Sequence, residues 1–219
     1  MRKRLETILS YVRPCNVFAD IGCDHGFIAV GVLKKGICRR VIAADISPSS
    51  LNKAVNLADN ERIDGLITVV SDGFKNINEM VDEAVIAGMG GEEICKILTD
   101  CRYLPERLIL QPMKNADKLR RLLYSTFRYP ITDDYLFFDG EKYYDLIVAD
   151  RRGVFKKYSE NDLYFGKGNL GGNPDFNRYL KNLSATYQAA LEVITDEGTK
   201  RELTEKLNVI NGLISDEDN

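Results

Sequence analysis

The chain of 219 residues has one histidine, His25, and five cysteines at irregular spacing: Cys15, Cys23, Cys38, Cys95 and Cys101. That inventory excludes the regularly spaced Cys/His pairs of a zinc site, so no metal is expected, and an odd, scattered set of thiols reads as free and buried. No apolar run reaches the roughly 18–20 residues that a membrane-spanning helix requires. The N-terminal MRKRLETILSYVRP is basic but lacks the continuous apolar stretch and small-residue cleavage site of a signal peptide. Its apolar residues Leu5, Ile8, Leu9 and Val12 recur at helical spacing, so it reads as the amphipathic first helix of a cytoplasmic protein. An overall positive charge is missing too. The formal net charge is −3, which by itself points to no nucleic-acid partner.

What is there is the composition of a soluble globular protein, 44% hydrophobic and 29% charged, with length for one full-sized domain and an appendage. The charge is uneven. From Tyr158 onward 6 Lys/Arg stand against 11 Asp/Glu, whereas residues 1–157 hold 24 against 22. The clusters Arg2-Lys3-Arg4, Arg39-Arg40, Arg120-Arg121, Arg151-Arg152 and Lys156-Lys157 fall in that first part. Each alone is an ordinary solvated surface; meeting on one face, they could neutralise phosphates.

Strand-like and helix-like stretches alternate through the first 150 residues. NVFADI (16–21), VIAADI (41–46), ITVVSDG (67–73), EAVIAGMGG (83–91) and RLILQPM (107–113) read as strands. FIAVGVLKKG closes on Gly36, Pro48 opens the next helical segment, and Asn115 caps the helix of NADKLRRLLYSTF. Two further strand runs flank Asp139-Gly140, a strong hairpin signal. Five βα units and a hairpin predict a mostly parallel, doubly wound sheet over residues 1–153 with one antiparallel strand. A glycine-containing stretch then reads as irregular. Beyond it Phe176, Leu180, Leu183, Tyr187, Ala190 and Ile194, and then Leu203, Leu207, Ile210 and Ile214, recur at alternating spacings of 3 and 4. This is a heptad seam in two pieces, with Gly198 as the stop between them. Residues 154–219 are therefore expected to form an α-helical hairpin of coiled-coil type. Because its two seams can satisfy each other, a monomer is expected.

The stretch ADIGCDHG (19–26) carries the chemistry. In a doubly wound sheet the turn after the first strand lies at the ligand crevice, and Gly22 and Gly26 let the backbone approach a ligand closely. A dinucleotide would call for G-x-G-x-x-G, but the middle position is Asp24, whose carboxylate repels pyrophosphate. Asp20 and Asp24 suit a cationic ligand without phosphate, such as S-adenosylmethionine (AdoMet), with its ammonium and sulfonium. Asp45 ends the second strand, 23 residues after Gly22, where a carboxylate can accept from both ribose hydroxyls. Asp72 ends the third strand and can accept from an adenine amino group. The fourth strand ends in the small residues Gly88-Met89-Gly90-Gly91, leaving room for the reacting groups.

In that order, ADIGCDHGFIAV, AADISPSSLNKA, SDGF, AVIAGMGGEEI and LILQPMKNADKLRRLL resemble the bacterial tRNA (adenine-N1) methyltransferases of the TrmK family, over essentially the whole chain. The resemblance implies a Rossmann-like class I AdoMet-dependent methyltransferase domain with a C-terminal coiled-coil hairpin. It also implies methylation of N1 of adenine 22 in the D-arm of tRNA. The cofactor would be held by Asp20, Gly22, Asp24, His25 and Gly26 from the first turn, Asp45 and Ile46 from the second strand, and Asp72, Gly73, Gly88 and Met89 from the third and fourth. Met113 stands where the family's fifth-strand motif QPN has its asparagine, with Asn115 nearby.

AGMGG lacks the amide and aromatic ring of the Asn/Asp-Pro-Pro-aromatic motif used on exocyclic amines, which fits attack by a ring nitrogen. Adenine N1 must be unstacked or flipped to be reached. Met89 and Gly90 would line its place, Lys114, Lys118, Arg120 and Arg121 would take tRNA phosphates, and Asp24 and His25 are the candidates for a catalytic part, or simply for holding cofactor and loop. Lys167, Arg178 and Lys181 of the C-terminal part could brace the tRNA by shape. The alternatives are a methyltransferase acting on a small molecule or a protein, a non-catalytic AdoMet sensor or coiled-coil module, and a nicotinamide oxidoreductase. Asp24 disfavours the last.

Overall fold

A computed structural model describes residues 3–217. Arg2 of the first basic cluster lies outside them. Helix α1 (Lys3–Tyr11) precedes β1 (Cys15–Ile21), α2 (Phe27–Lys34), β2 (Cys38–Asp45), α3 (Pro48–Glu61) and β3 (Leu66–Val70). Then follow β4 (Glu83–Met89), α4 (Gly91–Thr99), β5 (Arg107–Pro112) and α5 (Ala116–Arg121), the last running into a π-helical turn (Leu122–Thr126). The hairpin strands are β6 (Ile131–Phe138) and β7 (Tyr143–Asp150), and the chain ends in α6 (Glu160–Phe165), α7 (Pro174–Val193) and α8 (Glu197–Glu217).

The seven strands form one sheet in the order β3-β2-β1-β4-β5-β7-β6, parallel except for β7, which runs against both neighbours. Both faces are covered, so the strands are apolar almost continuously rather than alternately. On β1, Phe18 packs with Ile8, Leu9, Ala29 and Leu51 under α1–α3, and its neighbour Ala19 packs with Ile94, Leu98 and Leu119 under α4 and α5. Burying each such Leu or Ile contributes about 1.5–3 kcal/mol. The order reverses at β1, whose neighbours are β2 and β4. The crevice that this reversal opens at the carboxyl ends of the strands is where such sheets bind ligands.

The Rossmann-like α/β fold and the terminal hairpin are as expected, and four local readings are corrected. No helix follows β3. There Ser71 Oγ donates to Gly73 O and accepts from Asn76 N–H, while the Asn76 amide donates to Val70 O, so side chains satisfy the backbone in a compact loop. The stretch after Gly153 contains α6, started by a reciprocal cap in which Asp162 N–H donates to Ser159 Oγ and Ser159 N–H to the Asp162 carboxylate. Asn115 stands at the cap position of α5 but has φ 56 and makes no side-chain cap bond. Gly198 lies in the first turn of α8: the break comes earlier, at Ile194, and Asp196 accepts from Thr199 N–H to start α8.

Helices α7 and α8 pack antiparallel along the expected seam, with Phe176, Leu180 and Ile210 buried against Leu136 of β6 and Leu183, Tyr187 and Ile214 partly buried around them. Across it Ser184 Oγ bonds Asn211 Oδ1 at 2.8 Å. Among the described residues no helix is long and apolar enough to cross a membrane, and no cluster of His, Cys, Asp or Glu could hold a metal. All five cysteines are free; Cys23 and Cys38 are buried and the other three half-buried.

Candidate active site

The turn after β1 is held by backbone and by two buried carboxylates. Gly22 and Cys23 N–H both donate to Ala44 O of β2, at 2.8 and 3.1 Å. Asp24 takes φ 44 and Gly22 and Gly26 both φ 70, so three left-handed residues coil the turn around the carboxyl end of the sheet. A Cβ on Gly26 would lie 2.4 Å from Ala54 Cβ of α3, so glycine there is what lets α2 start against α3. One on Gly22 would lie 1.8 Å from Met89 Cε, which places Met89 directly across from the turn.

Asp20 is buried at 3% exposure, and its Oδ2 accepts from Ala29 N–H in the first turn of α2. Burial pushes its carboxyl up to about 7; the Ala29 N–H pulls the other way and the Asp45 carboxylate adds to the rise. Asp45 accepts from Asp24 N–H at 3.1 Å and Ser47 N–H at 2.8 Å, one on each oxygen. Each carboxylate oxygen has a second lone pair, so Asp45 can fix the loop and still accept from a ligand's hydroxyls. Ile46 follows, 73% exposed, an apolar surface at the mouth of the crevice.

The Asp24 side chain is exposed, 3.1 Å from Lys53 Nζ and 3.5 Å from His25 Nε2, and the His25 ring stacks on Phe27 at a centroid distance of 5.4 Å. Asp72 is exposed and paired with Lys75 at 2.5 Å, and the Lys75 hydrogen bond holds its carboxyl below the usual range. Gly73, at φ 61, would bring a Cβ to 2.8 Å from Ile97 Cγ2, so it closes the β3 loop onto α4.

At β4 the pairing with β5 slips by one residue: Ala87 faces Gln111 and Met89 faces Pro112, leaving Gly88 as a bulge with φ 85. Met113 N–H donates to Met89 O and Gly91 N–H to Lys114 O, which ties the two strand ends together. The carboxyl ends of β1, β2 and β4 and the loop after β3 thus enclose a crevice with four carboxylates, bare glycine backbone and one flexible thioether. A cationic nucleoside ligand fits that donor set; a pyrophosphate does not.

Residues 1–147 match the family described as a methyltransferase domain. A Mycoplasma pneumoniae protein named provisionally as a tRNA methyltransferase is 31% identical over 172 residues, 76% of this chain and 79% of that protein. The Bacillus subtilis tRNA (adenine(22)-N(1))-methyltransferase is 32% identical over 155 residues, 68% of this chain and 65% of its own length. The solved structure of Mycoplasma capricolum TrmK with S-adenosyl-homocysteine superposes with a TM-score of 0.89 at 22% identity, over 98% of each chain. The chain belongs to the TrmK family.

Of the residues singled out in this TrmK chain, Asp20, Gly22, Asp24, His25, Gly26, Asp45, Ile46, Gly88 and Met89 come together at one crevice, with Asp72 and Gly73 on its β3 side. Gly90 and Lys114 lie at the adjoining edge, where a Cβ on Gly90 would be 3.3 Å from Lys114 Cε. Arg120 is a correction. It is 1% exposed, 2.8 Å from Asp134 and 2.6 Å from Asp145, and donates to Tyr164 O. A guanidinium so enclosed cannot take a phosphate; it joins α5 to β6, β7 and α6. Lys118 and Arg121 are on the surface, paired with Glu92 and Glu160. Lys167 is bound to Asp162 at 3.0 Å. The sequence reading missed Gln111, fully buried beneath the β4–β5 edge, and the hydrogen bond that Arg4 of the first basic cluster donates to it across 107 positions of sequence.

Proposed function

We propose that this chain transfers the methyl group of AdoMet to N1 of adenine 22 in the D-arm of tRNA. The observation that carries the reading is the acid-lined crevice at the β1–β4 switch, closed by a glycine-rich β4 end without an aromatic ring or side-chain amide. When bound, AdoMet supplies an electrophilic methyl on a positive sulfur. Asp45 takes the ribose hydroxyls, Ile46 offers its apolar face to the adenine, and Asp72 accepts from the adenine amine. Asp24 faces the amino end and Asp20 sets negative charge under the loop. Gly22, Gly88 and Gly90 keep side chains away from the line of transfer, and Met89 borders it.

Adenine N1 carries an in-plane lone pair, so no proton has to leave before attack. The residues act by orienting N1 toward the methyl–sulfur bond, roughly 3 Å away, and by excluding water. The methylated base is cationic, and the Asp24 carboxylate, steadied by Lys53 and His25, offsets charge that develops there. Residues 154–219 act as a separate helical unit that braces the tRNA by shape. The two seams of that unit close on each other, which favours a monomer, and a tRNA substrate places the protein in the cytoplasm. The test is methyl transfer from labelled AdoMet to bulk bacterial tRNA, followed by nucleoside analysis. A 1-methyladenosine peak that is lost when adenine 22 is replaced is the expected result. AdoMet binding without incorporation into tRNA would overturn the substrate.

A further inference from the structure

Helix α1 brings a charge to the edge of the crevice that the cofactor does not need. Its first turn reaches the carboxyl end of β5, where Arg4 Nη1 donates to Gln111 Oε1 at 2.6 Å. Gln111 is 0% exposed and its amide donates to Pro112 O at 3.0 Å, so the carboxamide is fixed with its oxygen toward Arg4. The same Nη1 lies 3.6 Å from where a Cβ on Gly88 would be, and Arg4 Cζ is 5.5 Å from the centre of the Tyr144 ring. Gln111, the bulge glycine and an aromatic face therefore locate the guanidinium beside the β4 end.

Arg4 is half-buried, and among the described residues no carboxylate lies within 4 Å of it. A guanidinium stays charged in proteins and carries five N–H donors, of which the hydrogen bond to Gln111 uses one. Holding that charge partly out of water without a counter-ion is unfavourable. It is doubly so beside a sulfonium and a base that becomes cationic. Merely orienting Gln111, a neutral amide, would not require a full charge. An anion arriving with the substrate offsets both costs, and the anion every nucleotide brings is its phosphate. Lys3 of the same turn donates to Phe138 O at 2.7 Å, setting a second positive charge along this end of the sheet.

We propose that Arg4 binds a backbone phosphate of the nucleotide that enters the site, with Gln111 and Tyr144 as its anchors. The proposal rests on the reading of an RNA substrate. It assigns a substrate contact to the first turn of α1.

The test compares Arg4→Gln, which keeps a donor for Gln111 and loses the charge, with Arg4→Lys, which keeps the charge. For each, tRNA binding is titrated against salt, alongside AdoMet affinity, thermal midpoint and methyl transfer. Losing one phosphate contact lowers the slope of log affinity against log salt by about one. Arg4→Gln is expected to show that drop, with tRNA bound about tenfold more weakly and AdoMet affinity unchanged, while Arg4→Lys keeps the wild-type slope. A wild-type slope in Arg4→Gln, with wild-type protein methylating tRNA, overturns the phosphate assignment alone. Absence of methyl transfer to tRNA by wild-type protein overturns the substrate reading and this assignment with it.

Discussion

Replacing Asp20 by asparagine should make the protein more stable at pH 8 and less stable at pH 4. Asp20 is buried at 3% exposure, and its carboxyl is raised from 3.8 to about 7, chiefly by burial. A carboxyl raised on folding binds protons more tightly in the native state. Stability is therefore greatest below the unfolded value and declines as pH rises from about 4 to about 7, then levels off. At 1.36 kcal/mol for each pH unit of displacement, the full decline is about 4 kcal/mol. Asparagine keeps an acceptor for Ala29 N–H but buries an amide N–H without a partner, at a cost of about 1–3 kcal/mol. The net at pH 8 is a gain of about 1–3 kcal/mol, or roughly 2–12 °C in thermal midpoint for a chain of this length. At pH 4 only the cost remains.

Thermal unfolding of both proteins from pH 4 to 8 is the assay, and the two curves should cross. Parallel curves would refute the argument, because they would mean that the Asp20 carboxyl ionises as easily in the native state as in the unfolded one. AdoMet binding supplies a second readout. A cation above the loop favours the ionised form, so wild-type affinity should rise with pH up to about 7, by at most about tenfold per unit, and be flat in Asp20→Asn. A residue that costs stability at neutral pH and is held under a ligand loop has the signature of a functional group.

Asp45→Ala should weaken AdoMet binding by about 100-fold or more in calorimetry, since hydrogen bonds to a charged acceptor contribute about 1.5–3 kcal/mol each and two are lost; unchanged affinity would remove the ribose assignment. Asp24→Asn should lower kcat about tenfold with little change in KM for tRNA, measured at saturating AdoMet, and wild-type turnover would show that the carboxylate does not offset charge in the transition state. Arg120→Met should cost about 3–5 kcal/mol in denaturant unfolding, because it strands the buried Asp134 beside Asp145; a loss below about 1 kcal/mol would contradict the buried joint.

The sequence was most legible where a residue's part is local. Asp45 ends a strand and Gly22 and Gly26 turn the chain, and neither statement needs a distant partner. Asp139-Gly140 makes its hairpin because Asp139 accepts from Glu141 and Lys142 N–H within the turn itself. The heptad seam was legible for the same reason: a period within one helix fixes the face it buries. Gly198 failed as a stop because Asp196, two residues earlier, supplies a better cap, and local signals two residues apart compete.

Long-range pairing was not legible. Lys118-Leu119-Arg120-Arg121 reads as a basic stripe, yet Arg120 faces inward because Asp134 and Asp145, 14 and 25 positions later, meet it in the folded chain. Helix α5 is only six residues long and leaves directly from the Met113–Asn115 turn at the crevice. Its Arg120 bonds β6, β7 and the carbonyl of Tyr164 in α6, so the helix that leaves from the edge of the crevice is the same one that anchors the root of the helical hairpin.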